Sequence, residues 1–275
     1  VINIVLDIIF VVQFDYGVKG AAYATLIAQA VSGSGLAAYS LIREQNLRIK
    51  FLDLHFNKEE IFETIRMSFS ASVQQSVMNF GILMIQGLVN SFGTTVMAAF
   101  AVAVKIDTLA YMPAQEFGNA FSLFVSRNYG ANEYGRIRKC VKKAFLISAL
   151  FCAAVSAFVA IFSENLMGIF VSTDEYKIIK TGSIYLVTEG AFYVGIGILF
   201  LLYGYYRGIN RPEMSLILTV ISLGTKVALA YLLSGFDTIG VIGIWVSIPI
   251  GWFLADIVGI AYMKIFGRIL FNEAV

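Results

Sequence analysis

The sequence contains few charged residues, two cysteines and one histidine. Charged residues make up 14% of the 275 positions and the net charge is +2, whereas soluble domains carry about 25% charged residues. So small a net charge gives no electrostatic basis for binding nucleic acid. Cys140 and Cys152 are too few for a disulfide framework, and we expect both to be free thiols. The lone His55 gives no support for a histidine metal site.

Apolar residues dominate the chain instead. They make up 59% of the sequence and the mean hydropathy is +0.79. They form runs of about 20 residues, the length that a membrane-spanning helix needs, without the alternation typical of outer-membrane strands. The pattern therefore predicts an all-α polytopic membrane protein. The predicted helices cover residues 1–14, 18–42, 61–90, 96–126, 139–163, 178–203, 212–234 and 241–266.

Lysine and arginine residues lie mainly at alternate connections between these helices. The segments 43–66, 127–143, 207–211 and 264–268 together hold 15 of the 20 basic residues. Basic residues in short loops mark the cytoplasmic side of a membrane protein. We therefore expect a multi-pass protein of the cell membrane with these segments, and the C-terminus, in the cytoplasm.

Three oxygen-bearing side chains near the start of the chain form a candidate cation site. Asn3 and Asp7 stand four residues apart in an apolar run, which puts both on one face of a helix. A turn at residues 15–17 follows, and Thr25 comes near the start of the next helix. The three side chains can converge between adjacent helices and offer hard oxygen ligands to a small cation or a proton. The alternative is that Asp7 only caps or pairs inside a bundle.

A short glycine pattern occurs twice. Residues 17–20 read Gly-Val-Lys-Gly and residues 240–243 read Gly-Val-Ile-Gly, and both segments open a helix on the predicted outer side. Asn3 precedes the first segment by fourteen residues, and Lys226 precedes the second by the same distance. The repetition suggests a duplicated architecture with parallel repeats.

Several further polar residues fall within predicted membrane helices, where charged side chains face the interior of a bundle. We expect Lys105 and Lys226 in particular to point inward. Two interpretations stay open for the charged members of the group: they line a central cavity, or they pair between helices, with Asp256 as a further partner. The candidate cavity-lining residues are Gln74, Asn79, Lys105, Asp107, Glu116, Glu189 and Lys226.

Three segments together resemble the multidrug and toxic compound extrusion (MATE) family. The first joins residues 3–7 to residues 17–25 and resembles the family's fifth-to-sixth-helix signature. The second, residues 112–131, resembles the eighth helix and the following loop, and residues 207–212 resemble the turn between helices ten and eleven. The segment 113–118, which contains Glu116, resembles the DinF-like branch of the family. The resemblance covers essentially the whole chain.

The resemblance implies a MATE-type helical bundle with two lobes. Residues 1–42 would be the end of the N-terminal lobe, with part of helix five and all of helix six. Residues 43–60 would be a cytoplasmic inter-lobe linker, and residues 61–275 a complete C-terminal lobe of helices seven to twelve. Because the chain opens at Val1 inside an apolar helix, we expect an N-terminally truncated fragment.

The resemblance also implies a function. Family members are cation-coupled antiporters that export amphipathic, often cationic compounds, with a proton or sodium ion as the coupling ion and no other cofactor. The family's N-lobe cation site carries over to Asn3, Asp7 and Thr25, while its further aspartate on the first helix is not in this chain. Some branches instead use acids on helices seven and ten. Here the helix-seven region has no acid, and helix ten offers only Glu189, so the resemblance favours the N-lobe site.

A lipid-linked saccharide flippase of the same superfamily is the alternative function. An arginine-lined cavity would favour it, because arginine binds pyrophosphate in bidentate fashion. The only basic residues predicted at mid-membrane, however, are Lys105 and Lys226, and neither is an arginine. No filter-like loop favours a channel, and no nucleophile–base or metal constellation favours an enzyme. We therefore expect a monomeric transporter whose partners are small amphipathic molecules and the lipid bilayer.

Overall fold

The computed structural model describes the backbone of residues 2–43, 57–172, 174–236 and 238–272, and the side chains as far as residue 265. All regular structure in these ranges is helical, as the apolar runs predict. One π-helical segment, Ile8–Gln13, continues the first helix. The α-helices are α1 (Ile2–Asp7), α2 (Gly17–Arg43), α3 (Lys58–Asn90), α4 (Thr94–Gly130), α5 (Tyr134–Gly168), α6 (Tyr176–Gly190), α7 (Tyr193–Gly208), α8 (Pro212–Ser234) and α9 (Val241–Asn272).

Five of the described helices, α2, α4, α5, α8 and α9, are long and apolar enough to cross a membrane. The consecutive helices α6 and α7 form a sixth span when taken as one bent pair. The chain is therefore an integral, multi-pass membrane protein. Cys140 and Cys152 are free, as the sequence predicts.

The single helix predicted at 178–203 is wrong, because the structure contains two helices there. They meet at an angle of 54°, and Phe192 leaves the helical region with φ −116° and ψ 19°. Gly190 precedes the break, and Gly195 and Gly197 follow it. Each glycine costs a helix about 1 kcal/mol relative to alanine. The local helix is therefore weak enough for tertiary packing to bend it, although its hydropathy is continuous.

The chain divides into two compact units, Val1–Ile61 and Phe62–Val275. In the first unit, α1 and the π-helix pack against α2. Of the predicted inter-lobe linker, residues 44–56 lie outside the described residues. In the second unit, α7 is the central element, and nearly all of its residues are buried. Its largest fully buried side chains include Tyr193 and Tyr206.

Helices α4 and α7 approach each other backbone to backbone. A Cβ atom added at Gly118 would lie 2.7 Å from the carbonyl oxygen of Phe200, and one at Gly204 would overlap the Gly118 carbonyl oxygen. Gly204 and Gly208 form a small-xxx-small pair, which permits close packing of membrane helices. This close packing holds α4, which carries the buried residue Asp107, directly against α7.

The two glycine segments that repeat in the sequence also repeat in geometry. Gly17 and Gly240 both have left-handed backbones, with φ +51° and +52°. Residues other than glycine rarely adopt this conformation. An added Cβ at Gly20 would lie 2.9 Å from a carbonyl oxygen of the preceding helix, and one at Gly243 would lie 2.7 Å from a side chain of its preceding helix. In both places a left-handed glycine turns the chain and a second glycine lets the new helix pack tightly on the previous one.

Candidate cation sites

The first unit brings two of the three predicted oxygen-bearing side chains into contact. Asn3 Nδ2 donates a hydrogen bond to Thr25 Oγ1 at 3.3 Å, and the Thr25 hydroxyl donates to the Ala21 carbonyl oxygen at 2.9 Å. Asp7 lies one helical turn beyond Asn3, and its Oδ1 atom is buried without a hydrogen-bond partner. A buried polar atom without a partner is uncommon in a folded protein. The group therefore has an open position that a cation or a proton would complete.

Local backbone structure explains how these residues meet. Asp7 ends α1, and the chain continues as a π-helix, a form that is frequent at functional sites. The turn at Asp15 and Gly17, both with positive φ, reverses the chain. Because Gly20 approaches the π-helix and Thr25 reaches Asn3, α2 runs antiparallel to α1.

The second unit contains another group of ionisable side chains, which line a cavity of about 220 Å³. Asp107 on α4 and Glu189 on α6 are each 3% exposed, and Lys226 on α8 lines the same cavity. The Tyr193 hydroxyl donates to Asp107 Oδ1 at 2.5 Å, whereas Glu189 Oε2 has no hydrogen-bond partner. Among the described residues, Lys226 makes no direct ion pair with either carboxyl group.

The charges in this cavity do not balance when all three groups are ionised. Two carboxylates and one ammonium give a net charge of −1, in surroundings whose walls include Phe100, Phe200 and Trp252. An uncompensated charge in such surroundings is costly, because little water is present to solvate it. The cavity is therefore suited to take up one further positive charge, either a proton or a small cation.

The break between α6 and α7 positions this group. Glu189 lies in the last turn of α6, and Tyr193 is the first residue of α7. The bend lets the Tyr193 hydroxyl reach Asp107 on α4 while Glu189 stays in the cavity. The broken helix, which the sequence does not predict, thus brings together charged residues that the sequence does indicate as candidate cavity-lining residues.

The other candidate cavity-lining residues do not line this cavity. Gln74 on α3 donates to Thr219 Oγ1 on α8 at 2.9 Å, and Asn79 is exposed. Lys105 and Glu116 are exposed on α4. Within the second unit taken by itself, Lys105 is exposed, whereas Lys226 is partly buried and lines the cavity. An inward orientation of Lys105 in the complete bundle stays a prediction.

Sequence reasoning missed the tyrosines that surround the two carboxyl groups. Tyr111 and Tyr185 line the cavity, and Tyr193 binds Asp107. A signal was available for two of them, because Tyr185 stands four residues before Glu189 on α6 and Tyr111 stands four residues after Asp107 on α4, whereas Tyr193 lies beyond the break. Side chains at that spacing are neighbours on a helix.

Asp256 on α9 is a further buried carboxyl group. It is 4% exposed, and neither carboxyl oxygen has a hydrogen-bond partner. It stands one turn from Trp252, which lines the cavity, but is not itself a lining residue. It therefore does not pair with Lys226, one of the pairings that the sequence left open.

Comparison with known proteins gives consistent matches. The MatE family model matches residues 70–232, more than half of the chain. The probable multidrug resistance protein NorM of Thermotoga maritima is 24% identical over 254 residues, which cover 91% of this chain and 53% of that protein. The chain spans about half the length of the curated relatives it matches.

Two solved structures have the same fold. One is the outward-facing conformation of a multidrug resistance MATE family transporter of the MOP superfamily, with a TM-score of 0.91 and 28% identity, covering 98% of this chain and 61% of that one. The other is a MOP superfamily transporter from Pyrococcus furiosus, described as having a binding pocket of reverse polarity that suggests a different function. Its TM-score is 0.89 and its identity 26%, covering 98% of this chain and 60% of that one.

Proposed function

Because the chain belongs to the MatE family of multidrug and toxic compound extrusion transporters, we propose that it is part of a cation-coupled antiporter. The complete protein exports amphipathic, often cationic compounds by alternating access. Residues 1–42 belong to the N-terminal lobe, and residues 61–275 form the C-terminal lobe. A transport function is in keeping with the name of the Thermotoga relative, a probable multidrug resistance protein.

The observation that carries the proposal is the arrangement of Asn3, Asp7 and Thr25. The hydrogen bond from Asn3 to Thr25 holds two neutral oxygen ligands together, and the unpartnered Oδ1 of Asp7 supplies the charge. Oxygen ligands of this kind suit a sodium ion, and a carboxylate alone suits a proton. In the proposal, Asp7 binds the coupling ion, while Asn3 and Thr25 support it.

Coupling requires that the ion and the exported compound favour different conformations of the transporter. Binding of the ion at Asp7 then shifts the population toward the state that releases the compound. A neutral side chain of the same shape has no charge for the ion to neutralise. A transporter with such a side chain at position 7 therefore binds the ion no more tightly in one conformation than in the other, while its helix packing stays intact.

Efflux of a fluorescent cationic dye from cells tests the proposal. In the full-length transporter, Asp7→Asn should abolish efflux driven by an imposed proton or sodium gradient. Asp15→Asn is the matched control, because Asp15 is exposed in the adjacent turn and asparagine tolerates its positive φ of 53°. Normal efflux by Asp7→Asn at equal membrane abundance would mean that coupling does not depend on Asp7.

The saccharide flippase alternative has less support from the charges of the second unit. A diphosphate ligand needs a cavity with excess positive charge, whereas Lys226 shares its cavity with Asp107 and Glu189. Dye efflux that is lost in Asp7→Asn would favour the exporter. A protein that moves no cationic dye under either gradient would favour the flippase.

A further inference from the structure

A second concave site lies where α4 ends and α5 begins, on the side that the charge pattern assigns to the cytoplasm. It is a pocket of about 490 Å³. Four of its eight lining residues carry a positive charge: Arg127, Arg136, Lys139 and Lys143. No acidic residue lines it. The site therefore has a strong excess of positive charge.

Nothing in the described part of the chain neutralises these four side chains. None of them forms an ion pair there, although Glu133 lies in the intervening turn. Two other arginines on the same predicted side do have partners. Arg66 pairs with Glu213 at 2.9 Å, and Arg207 donates to Asn119 Oδ1 at 3.1 Å. Some basic side chains on this side are therefore held by partners within the protein, whereas the four that line the pocket form no ion pair within the described residues.

The pocket is continuous with an exposed apolar surface on the same helix. Arg136, Lys139 and Lys143 follow each other at intervals of three and four residues, and therefore share one face of α5. The next residues on that face are Leu146 and Leu150, which are 60% and 63% exposed. A ligand that fits both parts must combine an anionic group with apolar chains.

We propose that this pocket binds the headgroup of an anionic phospholipid, whose acyl chains lie along the exposed leucines of α5. Lysine and arginine donate strong, charge-assisted hydrogen bonds to phosphate oxygens. Basic pockets between membrane helices on the cytoplasmic side are suited to such headgroups. A free phosphate or a nucleotide would use the cations but leave the apolar surface without a ligand.

Lipid binding to the purified full-length transporter in detergent tests the proposal by native mass spectrometry. Phosphatidylglycerol, phosphatidylcholine and inorganic phosphate are the three probes. The pocket variant is Lys139→Gln/Lys143→Gln. The control variant, Arg138→Gln/Lys142→Gln, removes the same charge from the same turns of α5, but neither residue lines the pocket. Size-exclusion chromatography checks that both variants fold.

The wild type should bind phosphatidylglycerol at least about tenfold more tightly than phosphatidylcholine. The pocket variant should lose about 30-fold in phosphatidylglycerol affinity, since each basic side chain near an anionic lipid contributes about fivefold. The control should lose at most about threefold, because general surface attraction is weak and screened. Equal losses in both variants would overturn the proposal in favour of diffuse attraction. Binding of phosphate without phosphatidylglycerol would overturn it in favour of a free anion.

Discussion

Replacing Tyr193 with phenylalanine removes one buried hydrogen bond and keeps the packing of the ring. Tyr193 is 1% exposed, and its hydroxyl donates to Asp107 Oδ1 at 2.5 Å. A hydrogen bond to a charged group contributes about 1.5–3 kcal/mol, and an unsatisfied buried acceptor costs a similar amount. We therefore expect Tyr193→Phe to lower the free energy of unfolding by about 2 kcal/mol. For a domain of this size, that corresponds to a fall in Tm of about 4–8 °C.

Thermal unfolding of the purified protein in detergent measures this effect. Tyr231→Phe is the matched control, because Tyr231 also lies on a helix, is 49% exposed, and its hydroxyl has no hydrogen bond within the described residues. Combining Tyr193→Phe with Asp107→Asn should cost less than the sum of the two single changes, since both act on one contact. A Tm for Tyr193→Phe within about 1 °C of the control, or strictly additive losses, would refute the reasoning.

Two further predictions concern packing and topology. Gly204→Ala should destabilise the protein by about 1–3 kcal/mol through overpacking of α4 on α7, whereas Gly224→Ala, where an added Cβ meets no atom within 4 Å, should be neutral or slightly stabilising in the same thermal assay. Equal Tm values for the two variants would contradict the close helix approach. The topology can be tested in intact cells that express a variant without Cys140 and Cys152. An impermeant maleimide should label a cysteine introduced at Asp174 but not one introduced at Lys58 or Arg136, because basic loops stay in the cytoplasm. Labelling at Arg136 with none at Asp174 would reverse the topology.

Much of the fold follows from the sequence because long apolar runs leave few alternatives in a membrane. The predicted helix at 212–234 has the same bounds as α8. The break after Gly190 could not be predicted from hydropathy, since apolar residues continue on both sides. It depends on how α6 and α7 pack against their neighbours.

The first candidate site was predictable because its residues are close in sequence. A one-turn spacing and a tight glycine turn are enough to bring Asn3 to Thr25. For the second candidate site, the sequence indicates Asp107, Glu189 and Lys226 as possible cavity-lining residues but not which of them meet, because they come from three helices far apart in the chain. Periodicity places each side chain on a face of its own helix, but only tertiary packing decides which faces meet.

Competition between the coupling ion and the exported compound tests the central claim most directly. Fluorescence anisotropy of a cationic dye, titrated with the purified full-length transporter over a range of pH and sodium concentration, measures it. The account predicts that dye affinity in the wild type falls as protons or sodium ions are added, and that in Asp7→Asn the dye still binds but no longer responds to either ion. Undiminished competition in Asp7→Asn, or no competition in the wild type, would contradict the assignment of Asp7 as the coupling site.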